Sequence, residues 1–256
     1  MLGRDVVTDR LEALANVQEV VPFSELSSPL KSETSLNINF GVKYNPTNNL
    51  SFDFNLFNNN VNDLIEWKLV AKDQNNTNIY SYFNVNQVET KGLEFNASYK
   101  KTDNWEIKFG YQLLYAYDTE VVKDIEKDDS DYYALDTETL TSTKLNKDDY
   151  FGLFNRSRHM GNIKLNYHLN DKTDLNAMIT YRSKYALSDS NGNDILDAYD
   201  KFIEGYSLCD VGITHQISLL RSFQIGVKNI FGFINPEYIS NITGRLYYMS
   251  VKINFK

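Results

Sequence analysis

The stretch LNINFGVKYNPTNNLSFDFNL, residues 36–56, alternates apolar and polar side chains on both sides of a short polar segment. Its apolar positions are Leu36, Ile38, Phe40, Val42 and Tyr44 before that segment, and Leu50, Phe52, Phe54 and Leu56 after it. Successive side chains of a strand point to opposite faces, so this period of two predicts half-buried strands. The intervening NPTNN predicts a tight turn, and the stretch is therefore an antiparallel hairpin with one apolar face.

The same alternation recurs along most of the chain. It returns in LEFNASY (93–99), WEIKFGYQL (105–113), NIKLNYHL (162–169), LNAMITY (175–181), VGITHQI (211–217), FQIGV (223–227) and LYYMSVKINF (246–255). About nine antiparallel strands are predicted, and the fold class is all-β. Only residues 7–20 suggest a helix. No apolar run approaches the roughly 18 residues that a membrane-spanning helix needs.

The connections between the predicted strands alternate in length. Short turns lie at 45–49, 100–104, 170–173 and 219–222, and longer polar connections lie at about 70–79, 118–157, 186–204 and 231–243. The stretches 50–69 and 80–99 are each long enough for a strand that crosses a bilayer, which takes about 9–11 residues. Short turns at one end and long loops at the other are typical of an antiparallel transmembrane β-barrel, with tyrosines and tryptophans at both membrane surfaces.

The composition narrows the classes of partner. The net charge is −8 at pH 7 and the isoelectric point is about 5.0, which argues against nucleic acid because phosphate binding needs clustered lysine and arginine. Cys209 is the single cysteine, so an internal disulfide framework is excluded. The N-terminal segment carries charges where a secretory signal has its apolar region, and we expect no signal peptide in this chain.

Five elements resemble the C-terminal part of the barrel of TonB-dependent outer-membrane receptors. They are the hairpin region 30–67, the segment YFNVNQVETKGLEFNASYK with Gly92 and Glu94, the strand entry RSRHMGNIKLNY, the segment IGVKNIFG with Asn229 and Phe231, and the closing GRLYYMSVKINFK with Gly244, Arg245 and Phe255. Ser32 stands where the family usually has proline, and Lys256 follows the terminal aromatic residue.

The resemblance implies a barrel of the 22-strand type that contains an N-terminal plug and contacts TonB through a short N-terminal box. Residues 1–34 would be the remainder of an extracellular loop, and residues 35–256 the C-terminal half of the barrel, partial and open as given. The plug, the TonB box and the first half of the barrel would lie outside this chain, which we therefore expect to be a fragment. In an intact receptor the cargo would be a siderophore, haem, cobalamin, a glycan or a peptide.

Two other classes of protein share part of this pattern. A passive porin or a β-barrel adhesin would have the same strands and loops, and a soluble carbohydrate-binding β-sandwich would bury the apolar faces against a second sheet. No Ser-His-Asp arrangement, glycine-rich phosphate loop or paired-carboxylate site stands out, so we do not expect an enzyme. The expected membrane partner is the lipid of the Gram-negative outer membrane.

Two loops contain candidate binding residues. Asp189, Asn191, Asn193 and Asp200 have the 1-3-5-12 oxygen spacing of a calcium loop, although Asp194 replaces the usual turn glycine and the alternative is a polar loop with an Asn-Gly turn. No other cofactor is expected. The loop 118–150 carries eleven acidic residues and four lysines, and its Tyr132, Tyr133 and Tyr150 are candidates for stacking on a ligand. This loop either contacts a cationic or metal-containing ligand or is simply solvated.

Overall fold

A computed structural model describes residues 18–19, 29–72, 77–85, 87–102, 104–127, 129–193 and 195–255. A helix, α1 (Thr119–Ile125), and a short 3-10 helix (Lys147–Asp149) accompany the strands. In chain order the strands are β1 (Gln18–Glu19), β2 (Thr34–Thr47), β3 (Leu50–Asn62), β4 (Leu64–Lys72), β5 (Asn78–Val85), β6 (Val88–Thr102), β7 (Trp105–Asp118), β8 (Tyr133–Asp136), β9 (Thr141–Lys144), β10 (His159–Asn170), β11 (Thr173–Arg182), β12 (Tyr185–Ser188), β13 (Lys201–Ile203), β14 (Tyr206–Ser218), β15 (Arg221–Lys228) and β16 (Leu246–Ile253).

Nine of these strands form one antiparallel sheet, in the order β16-β15-β14-β11-β10-β7-β6-β3-β2. We call these nine the wall strands. Each wall strand pairs with the next wall strand along the chain, as in an up-and-down barrel. The sheet does not close, since β2 and β16 are its two edges. The expectation of about nine wall strands in a partial, open barrel is confirmed.

The two faces of the sheet differ in polarity along every wall strand. One cross-strand row joins Val42, Phe54, Phe95 and Tyr111, and the next row on the opposite face joins Lys43, Asp53, Asn96, Gly110 and Asn162. We call the apolar side the outer face and the polar side the inner face.

The apolar outer face is exposed. Phe40 on β2 is 62% exposed and Met249 on β16 is 75% exposed. A sandwich would bury these side chains against a second sheet, whereas a barrel wall presents them to lipid. The exposure therefore contradicts the sandwich alternative.

Aromatic side chains mark the two ends of this apolar face. At the short-turn end the rings of Trp105 on β7 and Tyr167 on β10 lie 4.4 Å apart, centroid to centroid. Tyr115 stands ten residues further along β7 on the same face. At about 3.3 Å per residue and a tilt of about 40°, that separation spans roughly 25 Å, the height of the apolar band of a membrane barrel.

The two longest predicted strands are interrupted. The sequence predicts continuous strands over 50–69 and 80–99, but β3 ends at Asn62 and a separate hairpin, β4–β5, follows. Asp63 lies between them with a φ of 56°, in the left-handed region that aspartate tolerates. The Asn84 side-chain amide donates to the Asp63 carbonyl oxygen at 2.7 Å and fixes this break.

Helical structure also differs from the expectation. The sequence suggests a helix at 7–20, but Gln18–Glu19 is a strand that pairs with β4, and the rest of that segment lies outside the described residues. The structure instead has α1 in the acidic loop, where the Asp118 carboxylate accepts the N–H groups of Glu120 and Val121 at 2.9 and 3.2 Å. Within the described residues, no helix combines the length and the apolar character needed to cross a membrane.

Candidate functional site: the loop cap and the inner wall

The long loops after β7 and β11 fold together into one body at the end of the sheet opposite the short turns. We call residues 119–158 and 185–205 the loop cap. Its members share a small apolar core of buried side chains from both loops: Val121, Ile125, Leu145, Tyr150, Ala186, Ile195 and Leu196. An apolar core holds a loop in a defined shape, so the connections predicted as polar loops form a structured surface.

Backbone hydrogen bonds join the two loops of the cap. The Phe151 N–H donates to the Leu196 carbonyl oxygen at 3.0 Å, and the Asn155 N–H donates to the Ala186 carbonyl oxygen at 2.8 Å. The cap is also tied to the wall, because the Leu153 N–H donates to the Ala116 carbonyl oxygen of β7 at 2.9 Å. The cap therefore has a fixed position over the end of β7.

A fully buried carboxylate, that of Asp197, lies at the centre of the second loop. Its oxygens accept from the Tyr199 N–H at 2.7 Å, the Leu135 N–H at 3.3 Å, the Asn193 side-chain amide at 2.8 Å and the Asn191 side-chain amide at 3.2 Å. These donors come from both loops, so Asp197 connects them. The sequence predicts no role for Asp197, whose local feature is a short turn in which the Tyr199 N–H donates to its carboxylate.

Two of the four candidate calcium residues, Asn191 and Asn193, donate to this carboxylate, and the two aspartates accept from backbone N–H groups of the same loop. Asp200 accepts the N–H groups of Ser190 and Asp197 at 2.7 and 2.9 Å, and Asp189 accepts the N–H groups of Asn191 and Gly192 at 3.1 and 2.6 Å. Among the described residues, no group of three histidine, cysteine, aspartate or glutamate side chains is placed to hold a metal ion. Calcium at this loop stays a prediction.

The three candidate tyrosines occupy different environments. Tyr150 belongs to the apolar core, where burial raises its pKa to about 12 and its hydroxyl accepts the Asp118 N–H at 3.3 Å. Tyr132 packs against the same core, and Tyr133 is 45% exposed. A stacking role in ligand contact stays a prediction, and Tyr133 is the tyrosine whose ring is most accessible for it.

Two charged side chains of the cap, Asp136 and Lys147, have local partners that favour their charged forms. Hydrogen bonds from Thr139 lower the pKa of Asp136, and the carboxylate of Glu126 raises the pKa of Lys147 through a contact of 2.7 Å. Both shifts favour the ionised form at neutral pH. Asp136 and Lys147 therefore stay charged at physiological pH.

The inner face of the wall carries a polar lining. Gln112 on β7 donates to the Glu94 carboxylate on β6 at 3.0 Å, and Asn166 on β10 donates to Glu106 at 2.9 Å. Lys108 pairs with the same Glu106 at 2.9 Å. The two cross-strand hydrogen bonds and the ion pair along β7 suit a wall that faces water or a polar partner.

Two of the motif residues near the C-terminus, Asn229 and Arg245, organise the loop between β15 and β16. The side-chain amide of Asn229 donates to the carbonyl oxygens of Phe233 at 2.7 Å and Thr243 at 3.1 Å, and its oxygen accepts the Phe233 N–H at 3.0 Å. The Arg245 guanidinium donates to the Ile230 carbonyl oxygen at 2.9 Å. Asn229 and Arg245 thus fold the last long loop onto the wall, whereas Phe231 and Phe255 are exposed and Gly244 is half-buried.

Replacing Asn229 by alanine will destabilise this loop. The change removes three hydrogen bonds and leaves alanine at a φ of 49°, so we expect a loss of about 3 kcal/mol in the free energy of unfolding. Thermal unfolding of the protein in detergent measures it. Asn241→Ala, an exposed site in the same loop, is the control, and equal unfolding temperatures for both variants would contradict the role of Asn229.

Comparisons with known proteins agree with this architecture. The family model described as TonB dependent receptor-like, beta-barrel matches residues 14–230. No curated protein matches the sequence.

Three solved structures share the fold. A mutant of the ferric enterobactin receptor PfeA from Pseudomonas aeruginosa is 21% identical with a TM-score of 0.59, and the match covers 88% of this chain and 32% of that one. The ferric-catecholate import receptor Fiu from Escherichia coli K12 is 17% identical with a TM-score of 0.57, with 94% and 30% covered. The copper transporter OprC is 16% identical with a TM-score of 0.59, with 88% and 32% covered.

The chain spans about a third of the length of these structures. Its nine-stranded meander, its outer apolar face and the family match over residues 14–230 lead to the same assignment. This chain belongs to the TonB dependent receptor-like β-barrel family.

Proposed function

We propose that this chain forms part of the wall and the extracellular surface of a receptor that takes up a scarce ligand across the Gram-negative outer membrane, powered through TonB. The observation that carries this proposal is the sheet itself, which is apolar on its outer face, polar on its inner face and covered at one end by a folded cap. In the intact receptor the polar inner face would contact the plug. Contact with TonB would be made by a region outside this chain.

The charge of the loop cap narrows the class of cargo. Its first loop, residues 119–158, carries ten acidic residues against four lysines and two arginines, and acidic side chains such as Glu120, Asp131 and Glu138 are exposed. A surface of one sign attracts ligands of the other sign and repels those of its own. We therefore infer that the cargo is a metal-containing ligand without net negative charge. The transport of ferric siderophores and copper by proteins of the same fold supports a metal-containing cargo.

Uptake in the native bacterium tests the proposal. Deleting the gene that encodes this chain is expected to abolish high-affinity uptake of one member of a panel of radiolabelled ligands: a neutral ferric hydroxamate, an anionic ferric catecholate, haem, cobalamin and copper. We expect the neutral chelate or copper to be affected, and a protonophore to have the same effect as the deletion, because energy comes from the inner membrane.

Two outcomes would contradict the proposal in different ways. Uptake that depends on the gene but is insensitive to the protonophore would identify a passive pore. Loss of uptake of the anionic catecholate alone would keep the receptor and remove the inference on cargo charge.

A further inference from the structure

A recess of about 470 Å³ opens on the outer face of the sheet, beneath the overhanging loop cap. Its wall side is formed by β6 and β7, where Lys91 is the cross-strand partner of Tyr115. The pair Phe95 and Tyr111 lies two rows nearer the short turns on the same face. The recess therefore continues the lipid-facing surface and does not open into the barrel.

The recess lies at the level where the apolar band ends. Tyr115 is the upper aromatic residue of the band that begins at Trp105, about 25 Å away along the membrane normal. Tyrosine rings at such a position lie among lipid headgroups. A ligand of this recess would approach from the outer leaflet of the membrane.

Positive charge is concentrated in the recess. Four cations line it, Lys91, Lys123, Lys147 and Arg158, against the two carboxylates of Glu89 and Asp148. The chain as a whole has a net charge of −8, and two of the four lysines in the acidic loop are placed here. This reversal of sign at one place on an acidic surface indicates an anionic ligand.

Three of the four cations are held in place by their neighbours. Arg158 lies over the ring of Tyr115 at 4.7 Å, and Lys91 lies over the ring of Tyr117 at 5.3 Å while contacting Glu89 at 2.9 Å. Lys147 is fixed by Glu126 at 2.7 Å. Guanidinium and ammonium groups held around a cavity are suited to the oxygens of a phosphate.

We propose that this recess binds a phosphate group on the headgroup of a phosphorylated glycolipid of the outer leaflet. The sugar to which the phosphate is attached packs against Tyr115 and Tyr117, and the acyl chains continue down the apolar outer face toward Phe95. The inference rests on the membrane location in the proposed function and is independent of the cargo.

Binding of defined lipids tests the proposal. The protein, isolated in detergent from the outer membrane in which it occurs, is mixed with bisphosphorylated lipid A or with lipid A from which the phosphates have been removed, and retained lipid is measured by native mass spectrometry. We expect at least tenfold tighter retention of the phosphorylated form. Lys123→Gln, Lys147→Gln and Arg158→Gln together are expected to remove that preference.

The matched control removes the same number of positive charges from the same cap, away from the recess. Lys127→Gln, Lys144→Gln and Lys201→Gln together should retain phosphorylated lipid A like the unmodified protein. Equal retention of both lipid A forms by the unmodified protein would overturn the proposal, whether or not the triple variant folds.

Two further measurements are needed. One distinguishes lipid-bound phosphate from free phosphate, and the other distinguishes failure of this inference from failure of the proposed membrane location. Competition by millimolar inorganic phosphate as strong as that by lipid A would show a site for free phosphate, which overturns the assignment to a lipid. Failure of the protein to insert into vesicles of phosphatidylcholine with or without lipid A would overturn the membrane location itself, whereas insertion without any preference would overturn this inference alone.

Discussion

Replacing Gly92 by alanine will disrupt the wall of the barrel between β6 and β7. A Cβ atom at this position would lie 1.9 Å from the Leu113 carbonyl oxygen and 2.9 Å from the ring of Phe57. The first of these atoms belongs to the backbone of the neighbouring strand, so the clash is relieved only by separating the strands. We expect a loss of about 3 kcal/mol, the upper end of the usual cost of overpacking, and little folded protein in the outer membrane.

The chain offers a matched control for this change. A Cβ atom at Gly41 on β2 would find its nearest atoms, Asn55 Oδ1 and the Phe54 carbonyl oxygen, at 3.7 and 3.8 Å, which is ordinary contact. Gly41→Ala should therefore leave the amount of heat-modifiable, folded protein on an electrophoresis gel unchanged. Similar losses for Gly92→Ala and Gly41→Ala would show that glycine is needed for some reason other than the close approach of Leu113.

Replacing Asp197 by alanine will unfold the loop cap and leave the wall intact. The change removes a buried carboxylate that accepts four hydrogen bonds. Its donors are the N–H groups of Leu135 and Tyr199 and the side-chain amides of Asn191 and Asn193. Hydrogen bonds to a charged group contribute about 1.5–3 kcal/mol each and a buried donor left unpaired costs about as much, so we expect a loss of at least 3 kcal/mol from the cap.

Limited proteolysis of intact cells measures this effect. Trypsin should cut the Asp197→Ala variant rapidly at the cap lysines, while the wall keeps its heat-modifiable mobility. Asp197→Asn keeps the shape of the side chain but turns an amide N–H₂ group toward the other donors. We therefore expect trypsin to cut this variant faster than the unmodified protein as well. Asp131→Asn, at an exposed site of the same cap, serves as the control. Unchanged resistance of the Asp197 variants to trypsin would show that the cap is held by its apolar core alone.

The wall could be predicted from the sequence because its signal is local. Alternation with a period of two, as in residues 36–44, fixes which face of each strand is apolar, and the short turns fix the pairing of neighbours. The structure keeps these strands, their order and their faces. The breaks near Asp63 could not be predicted in the same way, because the period of two continues through them and only a left-handed backbone and the Asn84 side chain separate β3 from β4.

The loop cap could not be predicted, because its contacts join residues that are distant in sequence. Asp197 and Leu135 are 62 positions apart, and Asn193 and Tyr133 are 60 positions apart. The calcium-loop spacing predicts a role for Asp189 and Asp200. The carboxylate that accepts hydrogen bonds from both loops is instead that of Asp197. Tyr150 shows the same limit, since nothing in the sequence distinguishes a tyrosine of the cap core from an exposed one such as Tyr133.

The sequence by itself determined the fold class, the number of wall strands and the two faces of the sheet, since each of these follows from the order of neighbouring side chains along a strand. Only the tertiary structure decided that two polar loops share a core, that Asp197 joins them, and that four cations gather on the outer face beside Tyr115. These features depend on which distant segments meet, and that is set by the pairing of the whole sheet and not by any single stretch of sequence.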